Sequence, residues 1–492
     1  MTTLLSLSRA ARLVGQSRGK LQKQVQNGEL TSFEGKVSMT ELTQLYPQAH
    51  VEDNTMLEKV EEIIERARFK ARNRIPSSLD QETLTARVSL LSDELAIARQ
   101  EVGDYAIFID KLKSRLKRLI EESQDNTKSI LQQLNEWVSE QQFNTEKLPL
   151  SQRQLMAKDT ILRIMAAQVH INPSGHEFLV EGSNSLLESG LSAGFALNYG
   201  CSNGNCGKCK ARLVSGQIKK IMAHDYVLSN AEKSQQMFLM CSHTALTDLV
   251  IETAEAGTSR DIPVQTITAR VKKVESLSDS ISILNLKTPR TERLRFLAGQ
   301  SVRLSLENGK QCVLPIASCP CDDMNIQFHI DQTHSEAEQE LATNMKNGDR
   351  VELYGPEGDF ILHEDPPHPV IFLAEGTAFA PIKSLIEHSV TLDVAESLHL
   401  YWLTSGEHYL GNLCHAWEDA FENFNYAAIK LNPSNDLASQ LQEQLNSIKK
   451  NHSSLQHHHI YIAGTKEFVQ HSQQFFQQQS VAENCLFTFT ME

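Results

Sequence analysis

The segment Cys201-Ser-Asn-Gly-Asn-Cys206-Gly-Lys-Cys209 places three cysteines within one short loop, and a fourth, Cys241, follows at a distance. Two sulfide-bridged iron atoms need four thiolates, and a C-x4-C-x2-C spacing with one remote cysteine is typical of a [2Fe-2S] cluster. Without a Cβ, glycine lets the backbone approach the sulfides and direct its N–H groups at the negatively charged core. Glycines occur in and beside this loop, at Gly200, Gly204 and Gly207.

A structural zinc site is the main alternative interpretation of these cysteines. Zinc sites usually contain two C-x2-C pairs, whereas Cys241 stands alone in Met240-Cys241-Ser242-His243. We therefore favour the cluster. Its predicted ligands are Cys201, Cys206, Cys209 and Cys241.

The sequence around the loop alternates strand and turn signals. A hairpin is predicted over 168–181, a helix from Ser185, and strands at Lys210–Val214 and Leu249–Glu252. Together with the cysteine spacing, residues 166–258 resemble a plant-type ferredoxin domain, which is an α+β protein of the β-grasp fold. The resemblance implies one-electron transfer at low potential.

The C-terminal half, residues 263–492, is rich in strand signals at first and becomes α/β after about Pro369. Its pattern resembles the ferredoxin–NADP reductase family. The resemblance implies a flavin-binding β-barrel at 263–365 and a nucleotide-binding α/β domain at 366–492. The segments that carry it are LAGQ at 297–300, GDRVELYGPEGDF at 348–360, PVIFLAEGTAFAP at 369–381 and IYIAG at 460–464.

The flavin-contacting positions depart from that family. Its motif is Arg-x-Tyr-Ser followed by Ile-Ala-Ser, and only the second part, Ile316-Ala317-Ser318, is present here. The losses remove a phosphate-binding charge, the ring that stacks on the isoalloxazine, and a hydroxyl. We keep these three residues as candidate FAD contacts and expect any FAD to bind through the backbone. The Arg, Tyr and Ser positions hold Cys312, Leu314 and Pro315, and the normally Gly-rich second phosphate motif reads DQTHS at 331–335.

The nucleotide-binding turn also departs from the family, because Gly-Gly-Thr-Gly is replaced by Glu375-Gly376-Thr377-Ala378. A pyrophosphate must approach the backbone closely at a helix N-terminus. The Glu375 carboxylate would repel it and the Ala378 Cβ would crowd it. Gly376 and Thr377 remain as candidate NAD(P) contacts. These changes favour a retained fold with altered sites over a working reductase.

Residues 1–46 predict a small unit with helices at 8–15 and 17–26, a β-wing at 30–37 and a third helix from Thr40. The order resembles the winged helix–turn–helix of excisionase and MerR-type DNA-binding proteins, which implies that the second helix enters the major groove. A protein-docking module is the alternative. The candidate DNA contacts on the second helix are Arg18, Lys20, Gln22, Lys23 and Gln24.

Charge is distributed unevenly along the 492 residues, which are enough for three or four domains. The net charge of −14 argues against general binding to nucleic acids or anionic membranes. Residues 1–45 nevertheless carry six basic and three acidic side chains, or +3, which leaves −17 on the remainder. This local excess favours DNA binding by 1–46. We expect no membrane span, and the lack of a cysteine framework outside the cluster loop favours the cytoplasm.

The clearest periodicity lies at 84–119, within a mostly helical stretch at 52–165. Its apolar residues recur at alternating steps of four and three, which is the heptad pattern of a coiled coil. A parallel homodimer is favoured by three features: branched residues at the a positions of the heptad, leucine at the d positions, and a Glu94–Arg99 pairing between chains. Apolar residues off the seam leave an intramolecular helical bundle as the alternative. The seam comprises Leu84, Val88, Leu91, Leu95, Ala98, Val102, Tyr105, Ile109, Leu112, Leu116 and Leu119.

Two functions fit this multidomain sequence. The favoured one is a dimeric, redox-responsive DNA-binding regulator, whose ferredoxin domain senses redox state and whose reductase-like half serves as a scaffold. The alternative is an NAD(P)H-dependent oxidoreductase that passes electrons through FAD to the cluster and on to a partner protein. Whether the chain is an enzyme stays open at this point.

Overall fold

The computed structural model describes residues 4–16, 18–33, 36–46, 81–122, 131–136, 159–222, 227–289, 291–363, 368–432, 434, 436–452 and 454–491. The predicted helical stretch at 52–80 and the predicted cap Ser17 lie outside these residues. No helix in the described ranges is long and apolar enough to cross a bilayer.

The N-terminal unit packs short helices and strands around one small core, which includes Leu21, Val37 and Leu42. Its three-stranded sheet has the order β1-β3-β2, and β1 was absent from the sequence prediction because three residues are too few to show a period. DNA binding by this unit stays a prediction. The elements are β1 Leu4–Ser6, α1 Leu7–Val14, α2 Arg18–Gln26, β2 Ser32–Phe33, β3 Lys36–Ser38 and α3 Met39–Leu45.

A single long helix, α4 (Gln81–Glu122), contains the whole predicted heptad segment. Its first turns dock on the ferredoxin segment through Arg87, whose guanidinium donates to the carbonyls of Met165 and Ala245 at 2.9 Å. Farther along, most seam side chains are exposed. The helix is confirmed, whereas its pairing with a second chain stays a prediction.

The ferredoxin segment forms a mixed five-stranded sheet of order β5-β4-β10-β6-β8, in which β4 and β10 run parallel. The predicted strands and the helix after Ser185 are confirmed, and the Ser185 hydroxyl accepts from the Glu188 N–H as the N-cap. The elements are β4 Ala166–Asn172, β5 Glu177–Glu181, α5 Leu186–Ser192, β6 Lys210–Ser215, β7 Ile218–Lys220, α6 Asn230–Ser234, β8 Met237–Leu239, β9 His243–Ala245 and β10 Leu249–Glu252.

The next segment is a six-stranded antiparallel sheet of order β14-β13-β16-β11-β12-β15. Its edge strands β14 and β15 contact each other, which curls the sheet towards a barrel around one apolar core. The elements are β11 Gln265–Ser276, β12 Ile281–Lys287, β13 Ser301–Ser305, β14 Gln311–Pro315, β15 Asn325–Asp331, α7 Glu336–Thr343 and β16 Arg350–Glu357.

The C-terminal segment is a parallel five-stranded sheet of order β19-β18-β17-β20-β21, with helices on both faces. The strand order reverses between β17 and β20, and ligands of such sheets bind at the carboxyl ends of the strands beside this point. The elements are β17 Val370–Glu375, α8 Phe379–Leu392, β18 Leu398–Thr404, α9 Gly411–Ala420, β19 Phe424–Lys430, α10 Leu437–Asn451, β20 His459–Gly464, α11 Lys466–Gln478 and β21 Leu486–Thr490.

Candidate functional site

The four predicted ligands come together as two pairs of thiols. Cys209 and Cys241 are buried, with their sulfurs 3.2 Å apart. Cys201 and Cys206 lie nearer the surface, and the Cys206 N–H donates to the Cys201 sulfur at 3.2 Å. Because each iron of a [2Fe-2S] cluster takes two of the four thiolates, two pairs are the arrangement that the cluster needs.

The same geometry argues against a single-ion site. Among the described residues, no group of three or more His, Cys, Asp or Glu side chains could surround one metal ion. A structural zinc site requires four ligands around one point. The residues therefore fit two irons better than one zinc.

Two glycines of the loop leave little space for a side chain. Gly207 has a φ of +73°, and a Cβ there would lie 2.6 Å from the Val227 side chain. A Cβ on Gly200 would lie 3.3 Å from the Cys206 sulfur. The loop can wrap this tightly only without side chains at these positions.

Hydrogen bonds favour negatively charged sulfur at Cys241 and Cys201. The hydrogen bond from Cys209 lowers the pKa of the Cys241 thiol to about 7, against burial, and the Gly204 N–H adds to this effect. The same contact, together with burial, raises the pKa of Cys209. Burial alone would raise the pKa of Cys201, but N–H groups from Asn203 and its neighbours lower it below its usual value. Donors that stabilise thiolate are what an anionic iron–sulfur core requires.

The predicted flavin contacts are buried between the barrel and α8. The Ala317 carbonyl accepts from Lys383 Nζ at 3.1 Å, and the Ser318 carbonyl accepts from the Ser384 hydroxyl at 2.7 Å. Ile316 is fully buried. These residues fasten the barrel to the C-terminal domain, and their carbonyls are already hydrogen-bonded.

The phosphate positions of the flavin motif offer no positive charge. Leu314 packs in the barrel core, and burial raises the pKa of the Cys312 thiol to about 12. The N-terminus of α7 is capped by the Ser335 hydroxyl and carries the carboxylate of Glu338. A phosphate has no favourable partner among these groups.

A cavity of about 340 Å³ lies between the barrel and β21. The sequence does not reveal this cavity because its walls come from two domains, although the alternating Phe487 and Phe489 near the C-terminus were a usable signal. Phenylalanine side chains and the carboxylates of Glu357 and Asp359 line it, and the described lining contains no lysine or arginine for a phosphate. The lining residues are Gly299, Ser301, 357–360 and 486–490.

The nucleotide turn is occupied by groups of the chain itself. One Glu375 oxygen accepts from the Thr465 N–H at 2.8 Å and from its hydroxyl at 2.7 Å, which places the carboxylate at the N-terminus of α11. The Gly376 carbonyl accepts from Trp402 Nε1 at 3.0 Å. Thr377 is buried beside Met491. The turn therefore does not fit a pyrophosphate in the way that the resemblance implied.

Several predicted DNA contacts on α2 are engaged within the protein. Lys23 pairs with Glu396 of the C-terminal domain, and the Gln24 amide oxygen accepts from the Tyr46 hydroxyl at 2.6 Å. Lys20 donates to Gln16 at 2.8 Å, Gln22 is half-buried, and the Arg18 side chain lies outside the described ones. A DNA duplex on this side of α2 would compete with the C-terminal domain.

The family model for the 2Fe-2S iron-sulfur cluster binding domain matches residues 169–246, which include all four cysteines. The chain is 26% identical over 326 residues to a CDP-6-deoxy-L-threo-D-glycero-4-hexulose-3-dehydrase reductase of Yersinia pestis, covering 66% of this chain and 98% of that protein. It is 28% identical to reductase component 1 of terephthalate 1,2-dioxygenase from a Comamonas species, covering 62% and 91%. It is 30% identical to the phenol 2-monooxygenase reductase component DmpP of Pseudomonas strain CF600, covering 45% and 64%.

Two similar solved structures are the Amycolatopsis cytochrome P450 reductase GcoB and phthalate dioxygenase reductase. The first has a TM-score of 0.41 and 22% identity and covers 66% of this chain and 98% of that one. The second has a TM-score of 0.39 and 15% identity, covering 46% and 68%.

The chain thus combines a [2Fe-2S] ferredoxin domain with a ferredoxin–NADP reductase-like module. The curated relatives support the electron-transfer hypothesis better than the DNA-binding regulator that the sequence favoured. The preference for the regulator rested on the basic helix–turn–helix pattern, on the heptads and on side-chain losses at the ligand sites. None of these decides function by itself.

Proposed function

We propose that this chain is an electron-transfer component that draws electrons from NAD(P)H and delivers them singly, through flavin and a [2Fe-2S] cluster, to a partner oxygenase or reductase. The observation that carries the proposal is the match to a dehydrase reductase over 98% of that protein's length. Each NAD(P)H oxidised to NAD(P)⁺ and a proton gives two electrons, which two one-electron acceptors receive.

In this proposal the cluster is held by Cys201, Cys206, Cys209 and Cys241. A bound cluster supplies single-electron transfer at low potential. The N–H groups of the loop stabilise its negative charge, while the buried pair of thiols keeps water from one side of it. Because Cys206 is exposed, that side of the loop is the one a partner protein can approach.

In this proposal the flavin ring occupies the cavity between the barrel and β21. A flavin supplies the conversion of one two-electron donor into two single-electron transfers. Phe487 and Phe489 would contact the ring, and the phosphates would have to bind backbone groups. We assign no residue to the nicotinamide nucleotide, because the Glu375 carboxylate opposes its pyrophosphate at the β17 turn.

Anaerobic spectroscopy of the purified, FAD-incubated protein tests the proposal. We expect iron, sulfide and flavin to be present, and NADH or NADPH to bleach the visible spectrum and support cytochrome c reduction. Cys206→Ser, which removes one ligand, should abolish cytochrome c reduction but retain reduction of ferricyanide by the flavin.

Protein that contains iron and sulfide but takes up no flavin would contradict the proposal. A cluster spectrum that stays unchanged after addition of either pyridine nucleotide would contradict it equally.

A further inference from the structure

The cluster loop is connected to the barrel by a buried hydrogen bond. Tyr199, two residues before the ligand Cys201, donates its hydroxyl to the carboxylate of Asp323. Both side chains are buried.

A buried arginine extends this contact across the domain boundary. Arg293 of the barrel lies 3.3 Å from Asp323, and its other nitrogen donates to Glu188 of the ferredoxin helix α5 at 2.8 Å. Its side chain is only 4% exposed. Burial opposes the charge, but Asp323 and Glu188 outweigh it and raise the pKa of Arg293, so the guanidinium stays charged.

Further contacts surround this network and restrict movement between the domains. Arg295 lies over the Tyr199 ring, 5.7 Å from its centroid, and donates to the Asn198 side chain at 2.8 Å. Leu392 of α8 packs against the ferredoxin core. Domains move relative to one another by default unless such an interface fixes them.

The network joins the start of the cluster loop to the body of the barrel. Asp323 follows the short 3₁₀ turn Pro320–Asp322 of the barrel. Its backbone carbonyl accepts from the Thr288 hydroxyl at 3.0 Å, which fixes its position in the barrel. At the other end, Tyr199 fixes the start of the cluster loop.

We propose that Tyr199, Asp323 and Arg293 are positioning residues that hold the cluster loop against the barrel, so that electrons reach the cluster without separation of the domains. This inference rests on the proposed function. Electron transfer slows steeply as two redox centres move apart, so loosening of this contact should reduce its rate.

Asp323→Asn is the test variant, since it removes the charge and keeps the shape. Ferricyanide reduction by NADH measures the flavin step, and cytochrome c reduction measures transfer through the cluster. Each acceptor molecule takes one of the two electrons. We expect cytochrome c reduction to fall several-fold while ferricyanide reduction and iron content hold. Asp322→Asn, the adjacent acid, should match the wild type.

Tyr199→Phe is the milder variant, and it keeps the inference testable if Asp323→Asn does not fold. It keeps the ring beneath Arg295 and removes only the hydroxyl, so a smaller decrease in cytochrome c reduction is expected. Wild-type cytochrome c rates in both variants would overturn the inference, and so would equal losses in both assays.

Hydrogen exchange separates failure of this inference from failure of the proposed function. If NADH never reduces the wild-type protein, the proposed function fails, but the contact is still testable. Asp323→Asn should then increase amide exchange in residues 186–199 and leave the sheet of the C-terminal domain unchanged. An unchanged exchange rate in 186–199 would show that the network does not hold the domains together.

Discussion

At the residue scale, the Glu375 carboxylate makes the crevice at the carboxyl end of β17 unfavourable for a pyrophosphate. It lies where the strand order reverses, and it accepts two hydrogen bonds from Thr465, the N-cap residue of α11. A pyrophosphate at this point would meet a negative charge and would have to displace the carboxylate from Thr465. The sequence identified the repulsive residue, and the structure adds what holds it in place.

For the histidine run at 457–459, the structure corrects the interpretation that the sequence favours. A solvated loop is the interpretation that the sequence favours for these residues, and it is wrong for two of them. His457 is exposed, whereas His458 and His459 are buried, because the chain enters β20 at His459. The His458 ring lies 4.9 Å from that of His452, and the His459 ring 4.2 Å from that of His368.

These buried rings predict a loss of stability in acid. Burial, with help from neighbouring histidines, lowers the pKa of His452 to about 4, whereas an unfolded histidine titrates near 6.5. The unfolded chain therefore binds the proton more tightly. Stability should be independent of this group above about pH 6.5 and should fall between pH 6.5 and 4. His452→Gln should reduce the fall in Tm between pH 7.5 and 5, as measured by calorimetry.

His457→Gln is the matched control, because its ring is exposed next to the same cluster. It should retain the wild-type dependence of Tm on pH. An identical dependence in His452→Gln and the wild type would rule out His452 as a source of the effect.

At the element scale, one buried arginine makes a large part of the contact between α4 and the ferredoxin domain. Arg87 is 1% exposed, and its guanidinium reaches five carbonyls from three separate segments of the domain. In the sequence, Arg87 is simply the residue before the seam position Val88. One of the carbonyls belongs to Ala245, in the strand that follows the predicted ligand Cys241.

Arg87→Met should therefore destabilise the ferredoxin domain. Buried carbonyls left without a donor cost about 1–3 kcal/mol each before relaxation, so a loss of roughly 2–4 kcal/mol is expected. The variant should also lose its visible iron–sulfur absorbance at a lower temperature. Arg118→Met, on the exposed part of the same helix, should melt as the wild type does. Equal melting of the two variants would contradict this role.

At the scale of the whole molecule, α4 leaves an apolar stripe uncovered within the described residues. Leu95 and Val102 on the seam are 51% and 67% exposed. Exposed stripes of this length usually mark an interaction surface. We propose that a second copy of the chain covers this one in a parallel coiled coil. Glu94, which contacts Arg163 of its own chain at 3.1 Å, would then also face the second chain's Arg99.

Leu95→Glu tests the dimer, because a charge at the seam would be buried against a second copy. We expect the wild type to sediment as a dimer and Leu95→Glu as a monomer. Ile97→Glu is the control, since Ile97 is 60% exposed on the same helix but lies off the seam. A monomeric wild type, or a dimer that survives Leu95→Glu, would disprove the proposal.

The sequence by itself determined the features that depend on local spacing. The cysteine loop, four of the ferredoxin strands and the helix over 84–119 were predicted because each is encoded by neighbours a few residues apart. The same locality explains why the altered motifs at Cys312 and Glu375 were visible without any structure.

Only the tertiary structure decided which distant groups meet. The pairing of the thiols, the burial of His458 and the cavity at β21 all arise from contacts between segments that are far apart in the chain. Tyr199 and Asp323 are separated by 124 positions, and nothing in the pattern around either residue specifies the other. Burial of apolar surface is not directional, so it does not select a partner for a buried polar group. That partner is fixed only when the whole core has formed.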